Sequence, residues 1–112
     1  MTALIKTHPN SPIFVNGHSL GGAIAVFAAL DVKLALNPSN KMTIYTYGQP
    51  RTGNEKFSDL LFSNFDGSYI RVTNYNDIVP SVPLLSLYYK HAGNEVWYEN
   101  PKYDAIFEEC PN

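Results

Sequence analysis

Ser19 lies in a stretch whose residue types and spacing could perform nucleophilic chemistry. The sequence GHSLG at residues 17–21 fits the pattern G-x-S-x-G, with a β-branched run from Ile13 before it and an apolar run after it. A serine at a sharp turn between a strand and a helix projects its hydroxyl from the sheet edge, where it can attack an acyl carbon. This context predicts that Ser19 is a nucleophile. The alternative is a serine that only caps the helix.

The neighbours of Ser19 have predicted supporting roles. The backbone N–H of Leu20 opens the predicted helix, so it faces any oxygen close to Ser19 and could stabilise an oxyanion. A strand and a helix that meet at such a turn run close together. We therefore expect that neither Gly17 nor Gly21 has room for a Cβ atom.

Asp77 is the candidate for an orienting acid. It follows the third predicted strand within three residues, and the carboxyl ends of parallel strands lie on one edge of a sheet. If the strands are sequential neighbours, Asp77 lies two strands from Ser19, roughly 10 Å away, which an imidazole could bridge. The alternative interpretation of NYNDIVP is a polar turn that ends at a proline.

Strands and helices alternate along the predicted chain, which indicates an α/β fold with a parallel sheet. The predicted strands are 13–17, 42–47 and 68–74, and the predicted helices are 20–36 and 55–65. The first helix has few polar positions, so we expect it to be buried on most sides. Two aromatic runs around Gly93 predict a C-terminal hairpin.

Composition excludes several classes of function. The 112 residues carry a net charge of −2 without a basic patch, which argues against a nucleic-acid partner. The longest uncharged apolar run, 20–30, is too short for the roughly 20 residues of a transmembrane helix. The single cysteine provides no disulfide framework, and the three histidines do not follow metal-ligand spacings.

Four segments resemble the class 3 (fungal-type) triacylglycerol lipases: VNGHSLGGAIA, IYTYGQPRTGN, IRVTNYNDIVPSVP and YYKHAGNEVWY. The resemblance covers nearly the whole chain. It implies a partial α/β-hydrolase fold and hydrolysis of carboxylic esters, usually acylglycerols, without a metal or organic cofactor. It also implies that Ser19 is the nucleophile, the Leu20 amide an oxyanion donor and Asp77 the triad acid. The segment GQPRTGN resembles a structural loop of the family, so we assign Arg51 no catalytic role.

The triad histidine should follow the acid along the chain, and His91 is the only histidine after Asp77. In the family, a histidine at this place resembles a structural residue, and the catalytic histidine comes later, beyond residue 112. His91 therefore has two interpretations, the general base or a half-buried hairpin residue. The lid and the second oxyanion donor would lie upstream. We accordingly predict one partial domain over residues 1–112, truncated at both ends and nearly inactive on its own.

The resemblance implies an ester or lipid substrate and, for the intact protein, a lipid–water interface. No secretory signal is visible after Met1, although the resemblance suggests a secreted protein or an endomembrane lumen. Two alternatives stay open. One is a non-catalytic fragment or pseudoenzyme without a triad histidine, and the other is a different esterase or an acyltransferase on the same fold.

Overall fold

The computed structural model describes residues 1–99 and the backbone of residues 107–110. Its helices are α1 (Thr2–Thr7), α2 (Leu20–Leu36) and α3 (Glu55–Phe65), and its strands are β1 (Ile13–His18), β2 (Met42–Tyr47), β3 (Tyr69–Asn74), β4 (Asn94–Tyr98) and β5 (Phe107–Cys110). Short 3-10 turns lie at Val79–Ser81 and Leu85–Leu87. The predicted strands and helices agree with these bounds to within one residue.

The five strands form one sheet in the order β1-β2-β3-β4-β5. Strands β1 to β4 are parallel, and β5 is antiparallel to β4. The α/β prediction with three parallel strands is thus confirmed, and the structure adds a fourth parallel strand. Because the first three strands are sequential neighbours, their carboxyl ends lie side by side on one edge.

The C-terminal hairpin exists, but its predicted position around Gly93 is wrong. The aromatic run before Gly93 contains a 3-10 turn and one isolated bridge between Lys90 and Gly53, and it forms no strand. Gly93 has a φ of +77°, and a Cβ there would lie 2.6 Å from the Tyr69 ring. The chain therefore passes closely over Tyr69 and enters β4 parallel to β3, while the hairpin is formed by β4 and β5.

Helices α2 and α3 cover one face of the sheet, and the core lies between these helices and the sheet. Its buried members are Val26, Ala29, Leu30, Met42, Ile44, Leu61, Phe65, Tyr69 and Ala92. The side chain of Asn54 caps α3 by accepting a hydrogen bond from the N–H of Phe57 at 3.1 Å. The rings of Phe27 and Phe57 lie 5.2 Å apart and connect the two helices. These contacts fix α2, and with it the turn that precedes it.

Helix α2 is less buried than the sequence predicts. Its sheet-facing side is buried, from Gly22 to Leu30, but four apolar side chains on its other side are 48–67% exposed: Leu20, Ile24, Phe27 and Leu34. Uniform hydrophobicity does not indicate which neighbours a helix has, and the described residues cover only one side of it. Among residues 1–99 and 107–110, no helix has the length and apolar content to cross a membrane.

Candidate active site

Ser19 occupies the turn between β1 and α2, here called the elbow (residues 17–22). Its backbone has φ 54° and ψ −130°, a conformation that non-glycine residues adopt only under strain. Its side chain makes no capping hydrogen bond to α2, which argues against the interpretation as a simple helix cap. Its N–H donates to the carbonyl of Tyr47 at 2.9 Å and so fixes the turn to the end of β2.

The glycines of the elbow differ in how closely they are packed. A Cβ on Gly17 would lie 2.3 Å from the carbonyl oxygen of Gly21, as expected where strand and helix approach closely. The same expectation is wrong for Gly21, because no described atom beyond its chain neighbours and its own helical turns lies within 4 Å of its Cβ position. The second close approach belongs to Gly22, whose Cβ would lie 3.1 Å from the Gln49 side chain. Gly21 contributes through its backbone, which passes over Gly17.

The amide of Leu20 is the first of α2. The N–H groups of a first helical turn have no acceptor within their own helix, and the helix dipole places partial positive charge there. The N–H of Gly22 is already used, because it donates to the carbonyl of Ser19 at 2.9 Å. The Leu20 amide is therefore the group next to Ser19 that could donate to an oxyanion.

Asp77 lies in the loop that follows β3, here called the acid loop (residues 75–84). Its N–H donates to the carbonyl of Asn74 at 2.9 Å, and its Oδ1 accepts from the N–H of Val79 at 3.0 Å. The order β1-β2-β3 places it on the carboxyl edge two strands from Ser19, roughly 10 Å away. The strand order thus meets the condition of the topology argument, and the role of Asp77 as the acid stays a prediction.

Gly48, at the end of β2 between these two residues, was missed by sequence reasoning. Its φ is +55°, and a Cβ there would lie 2.7 Å from Oδ2 of Asp77. Nε2 of His18 lies 4.0 Å from the same point. A glycine after a predicted central strand, on the edge where a ligand would bind, was the signal that could have identified it.

His91 is hydrogen-bonded to the acid loop and makes no described hydrogen bond to Ser19 or to the Asp77 side chain. It precedes β4, whose amino end lies on the edge of the parallel sheet opposite to Ser19. Its Nε2 donates to the carbonyl of Pro80 at 2.8 Å, since a carbonyl can only accept. Burial, together with the nearby charge of Arg71, lowers the pKa of His91 to about 4. This placement favours the half-buried structural interpretation over the role of base.

Arg51 holds the acid loop from the segment between β2 and α3. Its guanidinium donates to the carbonyls of Ser81 and Pro83, and its backbone N–H donates to the carbonyl of Val82. These contacts agree with the expectation that GQPRTGN is a structural loop.

A set of buried polar contacts involves Tyr69 and Arg71 of β3. The hydroxyl of Tyr69 donates to Oε1 of Gln49 at 2.7 Å, and burial raises the Tyr69 pKa to about 12. Arg71 donates to the carbonyl of Ala92 at 2.8 Å and lies 3.7 Å from the carboxylate of Glu95. In the described residues no group of three or more His, Cys, Asp or Glu side chains could hold a metal ion.

Comparison with known proteins identifies the same architecture in lipases. The family model for lipase (class 3) matches residues 1–87. A secreted mono- and diacylglycerol lipase A of Penicillium cyclopium is 39% identical over 98 residues, which are 88% of this chain and 31% of the relative. The solved Rhizomucor miehei lipase propeptide complex superposes with a TM-score of 0.90 at 34% identity, covering 98% of this chain and 35% of that one.

A third match is described as a triacylglycerol lipase whose catalytic centre is formed by a serine protease triad. It has a TM-score of 0.88 and 34% identity, and the match covers 96% of this chain and 41% of that one. This chain therefore spans about a third of the length of the relatives that it matches. Family model, relatives and fold agree, and the chain belongs to the class 3 lipase family.

Proposed function

We propose that the protein hydrolyses carboxylic esters, with acylglycerols as its substrates, through an acyl-enzyme on Ser19. The observation that carries the proposal is the strained backbone of Ser19 at the β1–α2 junction, with Asp77 two strands away on the same edge. Strain is retained only where the surrounding structure imposes it, and it is concentrated at functional sites. In this proposal the strain presents the hydroxyl of Ser19 beside the N–H of Leu20.

The proposed reaction is acyl transfer in two steps. Oγ of Ser19 attacks the ester carbonyl carbon while a histidine takes its proton, and the N–H of Leu20 donates to the resulting oxyanion. The C–O bond then breaks, and the alcohol leaves with the proton from the histidine. A water molecule, activated by the same histidine, hydrolyses the acyl-enzyme and regenerates Ser19.

Asp77 would orient that histidine and stabilise its imidazolium form. The base is a further histidine that the family resemblance places after this segment, because Nε2 of His91 already donates to the carbonyl of Pro80. Without that histidine, residues 1–112 on their own would be nearly inactive. The full-length gene product is thus the protein on which the proposal is tested.

The substrate class and compartment rest on the relatives. One relative is named a mono- and diacylglycerol lipase and another a triacylglycerol lipase, and the first is also named as secreted. The exposed Leu20 and Ile24 side chains at the start of α2 offer apolar surface next to Ser19, which suits acyl chains. We therefore propose a secreted enzyme that acts on acylglycerols at a lipid–water interface.

A fluorophosphonate ester and a set of acylglycerols test the proposal on the full-length protein. The probe should label Ser19, and Ser19→Ala should lower the hydrolysis rate by on the order of 10⁴- to 10⁶-fold. Ser63→Ala, at an exposed serine of α3, is the matched control and should retain both labelling and turnover.

Equal labelling or equal hydrolysis in Ser19→Ala would contradict the proposal. The acyl-chain profile decides the substrate class, because a preference for short soluble esters over acylglycerols would indicate a different esterase. Transfer of the acyl group to an alcohol in preference to water would indicate an acyltransferase.

A further inference from the structure

Four consecutive carbonyl groups of the acid loop accept hydrogen bonds from only two residues. His91 Nε2 donates to Pro80 at 2.8 Å, and the Arg51 guanidinium donates to Ser81 and Pro83. The backbone N–H of Arg51 donates to Val82 at 2.8 Å. Every carbonyl from residue 80 to residue 83 is thus bound from outside the loop.

The acid loop has little means of fixing its own position. Its prolines, at positions 80 and 83, have no N–H to donate. Its internal backbone bonds, from Ser81 to Ile78 and from Val82 to Val79, shape one 3-10 turn. They define the curvature of the loop, but they do not define where the loop lies on the sheet edge.

The two donors belong to segments that are bonded to each other and to the core. The N–H of Lys90 donates to the carbonyl of Gly53 at 2.8 Å and so connects the segment of His91 with the segment of Arg51. The buried Ser58 of α3 donates to the carbonyl of His91 at 2.9 Å. The donors therefore extend from a rigid frame, whereas the acceptors lie on the loop.

Asp77 lies three residues before the first of these carbonyls, and its Oδ2 lies against Gly48. We propose that Arg51 and His91 are positioning residues of the proposed hydrolase, which hold the acid loop so that the Asp77 carboxylate stays at the distance that a triad histidine bridges. The inference rests on the proposed function, because it gives these two side chains a role in the same site. Neither residue touches the substrate in this proposal.

The expected kinetic signature is specific to positioning of the acid. Asp77 acts on the histidine and not on the substrate, so a displaced acid loop should lower kcat and leave KM unchanged within about threefold. A displacement of about 1 Å costs on the order of 10²-fold in such sites. We expect kcat to fall by roughly 10- to 100-fold when either donor is removed.

Matched pairs of variants in the full-length protein test each donor. Arg51→Gln removes the positive charge and the guanidinium group that donates to two carbonyls. Arg51→Lys keeps the charge but cannot reproduce the planar arrangement of donors, so it should recover kcat in part. His91→Leu removes the donor to Pro80, and His91→Gln replaces it with an amide N–H, so it should recover most of kcat. Lys56→Gln removes an exposed positive charge from α3 and should leave kcat unchanged.

A double-mutant cycle distinguishes positioning from general weakening of the fold. If Arg51 acts through Asp77, then Arg51→Gln should lower kcat in the wild type but have almost no effect in an Asp77→Ala background. If Arg51→Gln does not fold, the same cycle is made with His91→Leu and His91→Gln, each in the wild type and in the Asp77→Ala background. A loss of kcat that is confined to the wild-type background then supports the positioning role.

The two proposals fail in different ways. Hydrolysis that survives Ser19→Ala overturns the proposed function, and the positioning role falls with it. Ser19-dependent hydrolysis that is unchanged by Arg51→Gln and His91→Leu, or lowered equally in the Asp77→Ala background, overturns the positioning role alone.

Discussion

The elbow and the acid loop lie on the same edge of the sheet, but they are held in different ways. The elbow is packed mainly by its own neighbours, since Gly17 lies under the backbone of Gly21 and the carbonyl of Ser19 accepts from Gly22, and the Ser19 N–H adds one bond to the Tyr47 carbonyl of β2. The acid loop is fixed from a distance, because Arg51 reaches Ser81 across 30 residues of sequence. One half of the proposed site is thus built mainly by local contacts, and the other depends more on the assembled fold.

This difference has a physical consequence for robustness. Close backbone packing in the elbow leaves no side chain that can adjust, so an added atom there must move main chain. The acid loop has backbone bonds at Val82 and Tyr75, but its carbonyls at positions 80, 81 and 83 accept from the side chains of Arg51 and His91. Such side-chain bonds are individually worth about 0.5–1.5 kcal/mol, or up to about 3 kcal/mol with a charged donor. A substitution that adds an atom in the elbow should therefore lower stability and activity strongly. Removal of single hydrogen bonds to the acid loop should lower activity in smaller steps.

The largest effect is expected at the elbow, from Gly17→Ala. Its new Cβ would lie 2.3–2.7 Å from backbone atoms of Gly21 and Gly22, so either β1 or α2 must shift. We expect the free energy of unfolding of the full-length protein to fall by about 3 kcal/mol or more, with loss of Ser19 labelling.

Gly21→Ala is the matched control for Gly17→Ala. It adds the same methyl group where no described atom lies within 4 Å, and alanine is the better helix former. Urea unfolding of both variants should show a large loss for Gly17→Ala and little or none for Gly21→Ala. Similar losses in the two variants would contradict the view that local backbone packing fixes the elbow.

An intermediate effect is expected from Gly48→Ala, where the two regions meet. Its positive φ costs an alanine about 1–2 kcal/mol, and its Cβ would also displace Oδ2 of Asp77. Gly67→Ala has a similar φ of +65° but meets no described atom within 4 Å, so it measures the backbone cost alone.

The comparison of these two alanine variants isolates the contact with Asp77. Both should lower the free energy of unfolding to a similar degree, but only Gly48→Ala should lower kcat, by roughly 10- to 100-fold. Equal kcat values in the two folded variants would indicate that Asp77 tolerates displacement, and would weaken its proposed role as the acid.

Most of what is local in this fold could be predicted from the sequence. The β-branched run from Ile13 and the G-x-S-x-G spacing each determine structure over a few residues, and with the alternation of strands and helices they predicted the parallel strands and the turn at Ser19. The same pattern could not distinguish the parallel pairing of β4 from a hairpin around Gly93. The strand with which β4 pairs depends on the close contact between Gly93 and the Tyr69 ring. Tyr69 lies 24 residues earlier in the sequence.

The geometry of the candidate site was predicted to the same extent and for the same reason, whereas the catalytic roles of Ser19, Leu20 and Asp77 stay predictions. Ser19 and the close packing at Gly17 follow from a contiguous motif, whereas Gly48 and the contacts of Arg51 with the acid loop depend on residues that only the fold brings together. The mistaken expectation for Gly21 shows the limit of motif reasoning. A motif indicates that two chains approach closely, but not which glycine faces the contact.

The last expected effect distinguishes the acid loop from the elbow by pH. His91 has a pKa lowered to about 4 in the folded protein, against about 6.5 when unfolded, so the unfolded chain binds more protons between these values. Its contribution to stability is therefore complete above pH 6.5 and is lost as the pH falls towards 4. Because the ring is only partly buried, we expect a loss of about 2 kcal/mol.

His91→Gln tests this origin, because glutamine can still donate to Pro80 but does not titrate between pH 4 and 7. Urea unfolding of the wild type and of the variant should be measured across that pH range. The difference between their free energies of unfolding should become smaller as the pH falls. Hydrogen exchange should locate the acid-induced loosening of the wild type in the acid loop and not in the elbow, because His91 binds the carbonyl of Pro80 and makes no described hydrogen bond to residues 17–22. A pH dependence that is identical in the two proteins would show that another group titrates, and would remove His91 from the acid response.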